Sequence, residues 1–329
     1  MYINYLRGIV LKLLASIVTL LFLLVLTVSP ALAKAGNIKE FTVPTPQSSP
    51  EGVVAGPDGN LWFTENIGNN IGRLTPSGKF TEFPIPTKNS IPIGITLGPD
   101  GNLWFDEFKG NKIGRITPSG QITEFRIPTP DSRPDFIITG PDGNLWFDEF
   151  KGNKIGRITT SGQITEYPIP SPKSFPGYIV LGFDGNIWFT EQTTVKIAYI
   201  TPKGKFKEFP VPTPKSDPFG LAQGPDGNLW FTEANKDRIG RITPSGQIAE
   251  FAIPTPGSVP FAITAGLDGA MWFTELNGNN IGRITLSGQI TEYPIPTASS
   301  APTGITPYAG GNIWFAESGG NKIGRITTH

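Results

Sequence analysis

The sequence contains no cysteine and a single histidine, His329, which is its last residue. The absence of cysteine excludes disulfide bonds, thiol nucleophiles and thiolate metal sites. No imidazole is available within the body of the chain for acid–base chemistry. The 27 basic and 27 acidic side chains cancel, so there is no electrostatic basis for binding nucleic acid.

Turn-forming residues are abundant, with 40 Gly and 33 Pro, while 38% of the residues are hydrophobic. Together with the alternation of apolar and polar residues, this composition is typical of a turn-rich β protein rather than a disordered chain. No amphipathic segment of helix length follows residue 33. The composition therefore predicts an all-β fold.

The first 33 residues differ from the rest. Arg7 and Lys12 precede an uncharged apolar run, and a small-residue ending stops at Ala33. This order predicts an export signal, residues 1–33, that is cleaved after Ala33. The alternative is a retained anchor, because residues 13–33 are uncharged and long enough to span a bilayer. Either interpretation puts residues 34–329 outside the cytoplasm, secreted or at the cell surface.

Tryptophan marks an internal repeat. All seven tryptophans lie 42 residues apart, at Trp62, Trp104, Trp146, Trp188, Trp230, Trp272 and Trp314. Seven such units account for residues 36–329. A fixed period of this length indicates a solenoid, an array or a propeller.

One unit contains four strand-like runs, at residues 94–98, 102–107, 112–117 and 121–128, separated by Gly, Pro, Asp and Ser turn residues. Four short antiparallel strands in about 42 residues predict one propeller blade. We therefore expect residues 34–329 to form a single seven-bladed β-propeller. The N-terminal strand, residues 37–44, should pair with residues 321–328 and complete the last blade, because an open ring would leave an unpaired edge.

Three features recur for structural reasons. The aspartates of the "PDG" turns, such as Asp58, should cap those turns. The tryptophans should form the core between blades. The third-strand arginines, such as Arg73, can pair with fourth-strand glutamates such as Glu82 and Glu124.

Two series of positions should meet at one end of the channel. The rim positions each follow a proline and are diverse: Glu51, Ile93, Asp135, Gly177, Phe219, Phe261 and Thr303. The ring glutamates end the second strands and do not vary: Glu65, Glu107, Glu149, Glu191, Glu233, Glu275 and Glu317. A turn centred on Asp58 predicts that residue 51 pairs with residue 65.

The ring glutamates admit two interpretations. Each could accept hydrogen bonds from the backbone or pair with a repeat arginine. Alternatively, some could face the channel and bind a hard divalent cation, Mg²⁺ or Ca²⁺, through oxygen ligands. The best metal candidates are Glu51 with Glu65 and Asp135 with Glu149, since a second acid stands at the rim position there.

The segments "GPDGNLWFTE" (56–65), "NKIGRITPSG" (111–120) and "ITEFRIPTP" (122–130) resemble the repeats of the streptogramin B lyase (virginiamycin B lyase) family. The resemblance extends over residues 34–329. It implies a seven-bladed propeller that confers antibiotic resistance by linearising a cyclic depsipeptide through metal-assisted elimination at its ester bond.

The resemblance also implies where catalytic residues would lie. The family's two histidines would occupy rim positions in successive blades, with an acid two residues before the second and a ring glutamate completing the group. Phe219, Phe261 and Thr303 stand at candidate histidine positions, and Asp217 with Glu233 is the nearest match to the acid and the glutamate.

We expect a monomeric propeller that lacks the catalytic histidines and binds a small molecule, peptide or glycan on its channel face, with Ile93, Phe219, Phe261 and Thr303 on the binding rim. The alternative is a carbon–oxygen lyase of the family that uses a carboxylate and a divalent metal. A lactone hydrolase on a related propeller is a third possibility. Contact with a membrane is expected only through residues 13–33, if they are retained.

Overall fold

Short strands build all of the chain that the structure describes. The computed structural model describes residues 36–328, and every helix or strand in that range is a β-strand. No helix that could cross a membrane occurs within it. The predicted export signal, its cleavage after Ala33, the alternative anchor and His329 lie outside the described residues.

The strands form seven four-stranded antiparallel sheets, the blades, numbered here by their tryptophans in chain order. Blade one contains β2 (Pro50–Ala55), β3 (Leu61–Glu65), β4 (Asn70–Leu74) and β5 (Phe80–Pro84). Blade two contains β6 (Ile95–Leu97), β7 (Leu103–Glu107), β8 (Lys112–Ile116) and β9 (Ile122–Arg126). Blade three contains β10 (Pro134–Thr139), β11 (Leu145–Glu149), β12 (Lys154–Ile158) and β13 (Ile164–Pro168). Blade four contains β14 (Pro176–Leu181), β15 (Ile187–Glu191), β16 (Lys196–Ile200) and β17 (Phe206–Pro210).

The remaining blades follow the same order. Blade five contains β18 (Pro218–Gln223), β19 (Leu229–Glu233), β20 (Arg238–Ile242) and β21 (Ile248–Ala252). Blade six contains β22 (Pro260–Ala265), β23 (Met271–Glu275), β24 (Asn280–Ile284) and β25 (Ile290–Pro294). Blade seven contains β26 (Pro302–Tyr308), β27 (Asn312–Glu317) and β28 (Lys322–Thr327), and its outer strand is β1 (Ile38–Thr42).

The ring closes through the N-terminal strand. β1 pairs antiparallel with β28, from Ile38 opposite Ile326 to Thr42 opposite Lys322. The first strand of blade one also contacts the first strand of blade seven. The predicted seven-bladed propeller, with its last blade completed by the N-terminal strand, is confirmed.

Each blade is buried on both faces, which explains why apolar residues are consecutive in the second strand. Trp62 packs with Leu103 and Phe105 of blade two, whereas Phe63 packs with Trp314 of blade seven. All seven tryptophans are at most 1% exposed, so the prediction that they form the core between blades is confirmed. Gly72 in the third strand makes room for this packing, because a Cβ there would lie 2.1 Å from Cζ of Phe63.

The aspartates of the "PDG" turns act as caps, as predicted. Asp58 Oδ1 accepts hydrogen bonds from the backbone N–H of Asn60 (3.2 Å) and from the indole N–H of Trp62 (2.9 Å). Blade seven has Gly310 at the corresponding position, and the buried indole N–H of Trp314 has no hydrogen-bond partner among the described residues.

The predicted pairing of third-strand arginines with fourth-strand glutamates was wrong. Arg73 lies opposite Thr81, and Glu82 lies opposite Gly72. Because successive residues of a strand face opposite sides of the sheet, Arg73 and Glu82 point away from each other. Arg73 instead forms an ion pair with Asp58 (3.5 Å), and its guanidinium lies 5.3 Å from the centre of the Trp62 ring.

The pairing predicted at the start of the first strand was wrong by one residue. Val53 lies opposite Phe63 as the turn geometry requires, but Glu65 lies opposite Pro50, because the strand bulges between Pro50 and Val53. The same irregularity occurs in six of the seven blades. A bulge inserts an unpaired residue and re-aims its side chain, and the rim position falls inside it.

Candidate ligand site at the channel mouth

The ring glutamates do not reach the channel surface. All seven are fully buried. Glu65 Oε2 accepts a hydrogen bond from the Asn70 side-chain amide (3.1 Å). Burial raises the pKa of Glu65 to about 7, and the nearby carboxylate of Glu82 adds to the increase. These side chains therefore belong to the interior of the blades, and their neighbours are fourth-strand glutamates rather than the repeat arginines.

Glu51 and Asp135 lie in the first strands of blades one and three, in the region called the channel mouth here, and their charges interact. Glu51 Oε2 accepts a hydrogen bond from the Asn66 side-chain amide (3.2 Å). Asp135 is only 8% exposed. Burial raises the pKa of Asp135 to about 8, and the charge of Glu51 raises it further. Burial likewise raises the pKa of Glu51 to about 7.

The structure does not pair the metal candidates as the sequence suggested, which was Glu51 with Glu65 and Asp135 with Glu149. Glu51 interacts with Asp135, whereas Glu65 faces Glu82 and Glu149 faces Glu166 inside their own blades. Within residues 36–328, no three His, Asp or Glu side chains are arranged so that they could hold a metal ion. Of the four candidates, only Glu51 and Asp135 interact with each other, and a site for Mg²⁺ or Ca²⁺ stays a prediction.

Sequence reasoning missed two further acids beside this pair. The residue before each ring glutamate is Thr in four blades, but Asp106 and Asp148 take its place in blades two and three. Both are fully buried. Burial raises the pKa of Asp106 well above its usual range, and the charges of Asp135 and Asp148 contribute. The signal was available in the sequence as "WFDE" in place of "WFTE".

The threonine at this position links neighbouring blades. Thr64 Oγ1 accepts a hydrogen bond from the Gly52 N–H (2.9 Å) and donates one to the carbonyl of Ile93 in the next blade (2.8 Å). Asp148 makes only the hydrogen bond within its own blade, in which its Oδ1 accepts from the Phe136 N–H (2.7 Å). Its Oδ2 is buried without a hydrogen-bond partner among the described residues.

Four aromatic rings lie beside the acids. The ring centres of Phe136 and Tyr178 are 3.9 Å apart, those of Tyr178 and Phe219 are 5.8 Å apart, and those of Phe219 and Phe261 are 4.4 Å apart. The predicted rim residues Phe219 and Phe261 thus belong to an aromatic cluster. Its other two members, Phe136 and Tyr178, each follow a rim position by one residue and were not predicted.

Tyr178 connects the aromatic cluster with the acids. Burial raises the pKa of its hydroxyl, and the charges of Asp135 and Glu51 raise it further. A cavity of about 160 Å³ continues into the channel and is lined by Tyr178, Ile137 and Ile305, with further first-strand residues. The channel mouth therefore combines carboxyl groups, aromatic rings and an apolar recess.

The other two predicted rim residues, Ile93 and Thr303, make contacts that stabilise the propeller. Ile93 packs at the edge of the hydrophobic cluster that contains Phe136. Thr303 is buried, and its hydroxyl donates to the carbonyl of Pro50 (3.3 Å), across the contact between blades seven and one.

The structure places the two catalytic candidates, Asp217 and Glu233, apart from the channel mouth, one in a surface cavity and one in the interior of a blade. Asp217 lines a separate surface cavity of about 370 Å³, together with Gln192, Thr193, Val195, Lys215 and Asn235. Glu233 is fully buried, and burial raises its pKa to about 7, with the charge of Glu250 contributing. Phe219 belongs to the aromatic cluster in the channel.

This second cavity lies where blade four departs from the repeat. Asn153 in blade three accepts hydrogen bonds from the N–H (2.7 Å) and hydroxyl (2.9 Å) of Ser174, which fixes the loop between blades. Val195 stands at the corresponding position in blade four and cannot do so. The corresponding serine, Ser216, is buried without such an amide partner.

The described residues form a seven-bladed propeller in which buried acids and aromatic rings meet at the channel mouth. A profile of the virginiamycin B lyase family matches residues 30–187 and 172–329. The chain therefore belongs to the virginiamycin B lyase family.

Individual relatives agree with this assignment. The crystal structure of virginiamycin B lyase from Staphylococcus aureus is 45% identical, with a TM-score of 0.86, over 88% of this chain and 99% of that one. A catalytically inactive histidine-to-alanine variant of the same enzyme, crystallised with quinupristin, is 44% identical, with a TM-score of 0.85, over 88% and 99% of the two chains. Virginiamycin B lyase from Bacillus licheniformis is 50% identical over 41 residues, which are 12% of this chain and only 14% of that relative.

Proposed function

We propose that this chain is a ligand-binding member of the virginiamycin B lyase family that holds its ligand at the channel mouth without linearising it. One observation carries the proposal: residues 36–328 contain no histidine. The seven rim positions hold Glu, Ile, Asp, Gly, Phe, Phe and Thr, so none supplies an imidazole that is unprotonated and basic near neutral pH.

The aromatic cluster and the apolar recess support a binding role. Ligand pockets are mostly apolar and aromatic, with a few polar groups that fix orientation. The inactive S. aureus variant, which lacks a histidine, was crystallised with quinupristin. By analogy, the ligand proposed for this chain is a cyclic depsipeptide of the streptogramin B type or another peptide, with a glycan as a further candidate.

One observation favours a second candidate, a lyase that uses a carboxylate base. The pKa of Asp135, raised to about 8 by burial and by Glu51, makes its ionised form a stronger base than an ordinary aspartate. The elimination also needs stabilisation of the negative charge that develops on the substrate. No three-ligand metal site for that purpose occurs within the described residues, so binding without turnover is the better proposal.

The place of action proposed here is outside the cytoplasm. The basic start, apolar run and small-residue ending of residues 1–33 support export. N-terminal sequencing of the secreted protein should give Lys34 as the first residue. A protein that keeps residues 13–33 and fractionates with membranes would establish the anchor instead.

Quinupristin tests the proposed function. The purified protein and the S. aureus enzyme are each incubated with the antibiotic and excess Mg²⁺. Chromatography with tandem mass spectrometry follows ring opening, because an elimination product has the same mass as its substrate. We expect binding by equilibrium dialysis and no ring opening by this chain. Turnover comparable to that of the S. aureus enzyme would overturn the proposal, and its loss in Asp135→Asn would establish the carboxylate-based lyase.

A further inference from the structure

We infer that the channel mouth binds an organic ammonium cation with an apolar substituent, whose charge lies between the carboxylates of Glu51 and Asp135 and whose substituent enters the neighbouring apolar recess of the channel. The inference rests on the proposed function of the channel mouth as the ligand site. It adds the chemical class of the group that the site recognises.

The acids at the channel mouth have no ion-pair partner among residues 36–328. No described Lys or Arg side chain forms an ion pair with Glu51, Asp106, Asp135 or Asp148, whereas the "PDG" aspartates and several fourth-strand glutamates have such partners. Buried charges in proteins are normally paired or bound to a metal. A cationic ligand would supply the counter-charge that lets these buried acids ionise.

Two of these acids have carboxyl oxygens without a hydrogen bond among the described residues. Asp135 is more than nine-tenths buried, and its carboxyl makes no hydrogen bond to any described residue. Asp148 is fully buried and its Oδ2 is unpartnered within the described chain. The two acids are neighbours, because Asp148 Oδ1 accepts the N–H of Phe136, the residue after Asp135, and this pair of acids lacks a donor. An ammonium N–H would supply it.

Aromatic rings favour an organic cation over a metal ion. Tyr178 interacts with both Glu51 and Asp135 and lies among the rings of Phe136 and Phe219. Ring faces attract ammonium groups through cation–π interaction, but they cannot ligate Mg²⁺ or Ca²⁺, which require about six oxygen ligands.

The apolar recess of the channel accounts for the apolar substituent. Its lining includes Ile95, Ile137 and Ile305, together with Gly52, next to Glu51 in the chain, and Phe136, next to Asp135. The cavity measures about 160 Å³, which suits a short alkyl chain rather than a second large ring. A ligand with a cationic head and a small apolar tail fits both parts of the channel.

Protonation supports the same arrangement. Burial raises the pKa values of Glu51 and Asp135 to about 7 and about 8, and Asp106, Asp148 and Tyr178 are the other titratable groups that face them. A bound cation favours the ionised carboxylates. Binding should therefore release protons and become tighter as the pH rises from 6 to 9.

Calorimetric titration of the whole exported chain with n-butylammonium chloride tests this inference, with n-butanol as the neutral counterpart. We expect n-butylammonium to bind at least about tenfold more tightly than n-butanol at pH 8, with proton release measured in two buffers. Asp135→Asn should weaken n-butylammonium by about tenfold or more. Asp131→Asn is the matched control, since Asp131 is an exposed acid of the loop before blade three, and it should change the affinity less than about twofold.

Circular dichroism shows whether each variant is folded, and Glu51→Gln replaces Asp135→Asn if the latter does not fold. Equal affinity for n-butanol, no detectable binding of n-butylammonium, or unchanged affinity in the channel variants would overturn the inference. Displacement of n-butylammonium by low concentrations of Mg²⁺ alone would show a metal site instead. Linearisation of quinupristin would overturn only the proposed function, so the two failures are distinguishable.

Discussion

Val195 has the left-handed backbone conformation (φ 55°), at a position where five other blades have Asn and one has Asp. A β-branched residue is strained in this region of φ, whereas Asn and Asp tolerate it. The repeat asparagine also makes hydrogen bonds to the loop of the next blade, as Asn153 does with Ser174. Blade four therefore carries a local defect, and the cavity that contains Asp217 lies beside it.

Val195→Asn should stabilise the protein. The substitution removes the left-handed strain of valine and gives Ser216 an acceptor, and these effects are each worth about 1 kcal/mol. We expect the free energy of unfolding in urea to rise by about 1–2 kcal/mol. The reciprocal change, Asn153→Val, should lower it by at least as much. A decrease with Val195→Asn would show that the loop of blade four is better without the amide.

Individual residues also show how far sequence reasoning reached. Glu51 and Asp135 could be selected because an acid at a rim position breaks the repeat. Their interaction across two blades could not be predicted, since it depends on the bulges between Pro50 and Val53 and between Pro134 and Ile137. Asp106 and Asp148 were visible as replacements of Thr, but their meaning required the contacts that Thr64 makes between blades.

The second and fourth strands of each blade bring two glutamates together. Burial raises the pKa of Glu107 to about 8 and that of Glu275 to about 7. The charge of the fourth-strand glutamate makes a smaller contribution at both positions. All seven ring glutamates have raised values of about 7 or about 8. The ring glutamate of each blade therefore keeps its proton to a higher pH in the folded protein than in the unfolded chain.

Stability should fall as the pH rises from about 5 to above 8. Below the ordinary glutamate pKa, these groups are protonated in both the folded and the unfolded state, so they make no contribution to the pH dependence of stability. Between that value and about 8 the unfolded chain loses protons that the folded chain keeps, so the folded state binds more protons and becomes less stable with increasing pH. Each unit of pKa difference corresponds to about 1.4 kcal/mol per group before screening.

Urea unfolding at pH 6 and pH 9 measures this effect. The midpoint should be lower at pH 9. Glu275→Gln, which has no proton to lose, should reduce the difference between the two pH values. A midpoint that is unchanged or higher at pH 9 would contradict the buried, protonated state of the ring glutamates.

The whole ring depends on one strand that is distant in sequence from its partners. β1 supplies the outer edge of blade seven, and Phe41 stacks on Trp314 with ring centres 5.4 Å apart. The 42-residue period predicted this closure, because the chain ends after a third strand and residues 37–44 have no other blade. The blade number and the closure were thus predictable, since both follow from a count, whereas the site follows from side-chain contacts.

Removal of residues 1–42 should destabilise the propeller. The truncated protein loses the five paired residues of β1 and the packing of Ile38 and Phe41. Full burial of one such side chain is worth about 1.5–3 kcal/mol. We expect the free energy of unfolding to fall by about 3 kcal/mol or more and protease cleavage to become faster. A protein that starts at Gly36 is the control and should keep full stability. Equal stability of the two would contradict closure through β1.

A single-turnover experiment, with protein in excess over quinupristin and with excess Mg²⁺, tests whether the channel mouth binds the antibiotic without opening its ring. Under these conditions nearly all of the antibiotic is bound, so slow chemistry is detected as well as fast chemistry. Tandem mass spectrometry of the recovered antibiotic follows after long incubation. A channel mouth that binds without an imidazole base should return the antibiotic bound and with its ring intact. Recovery of the linearised antibiotic would contradict the account.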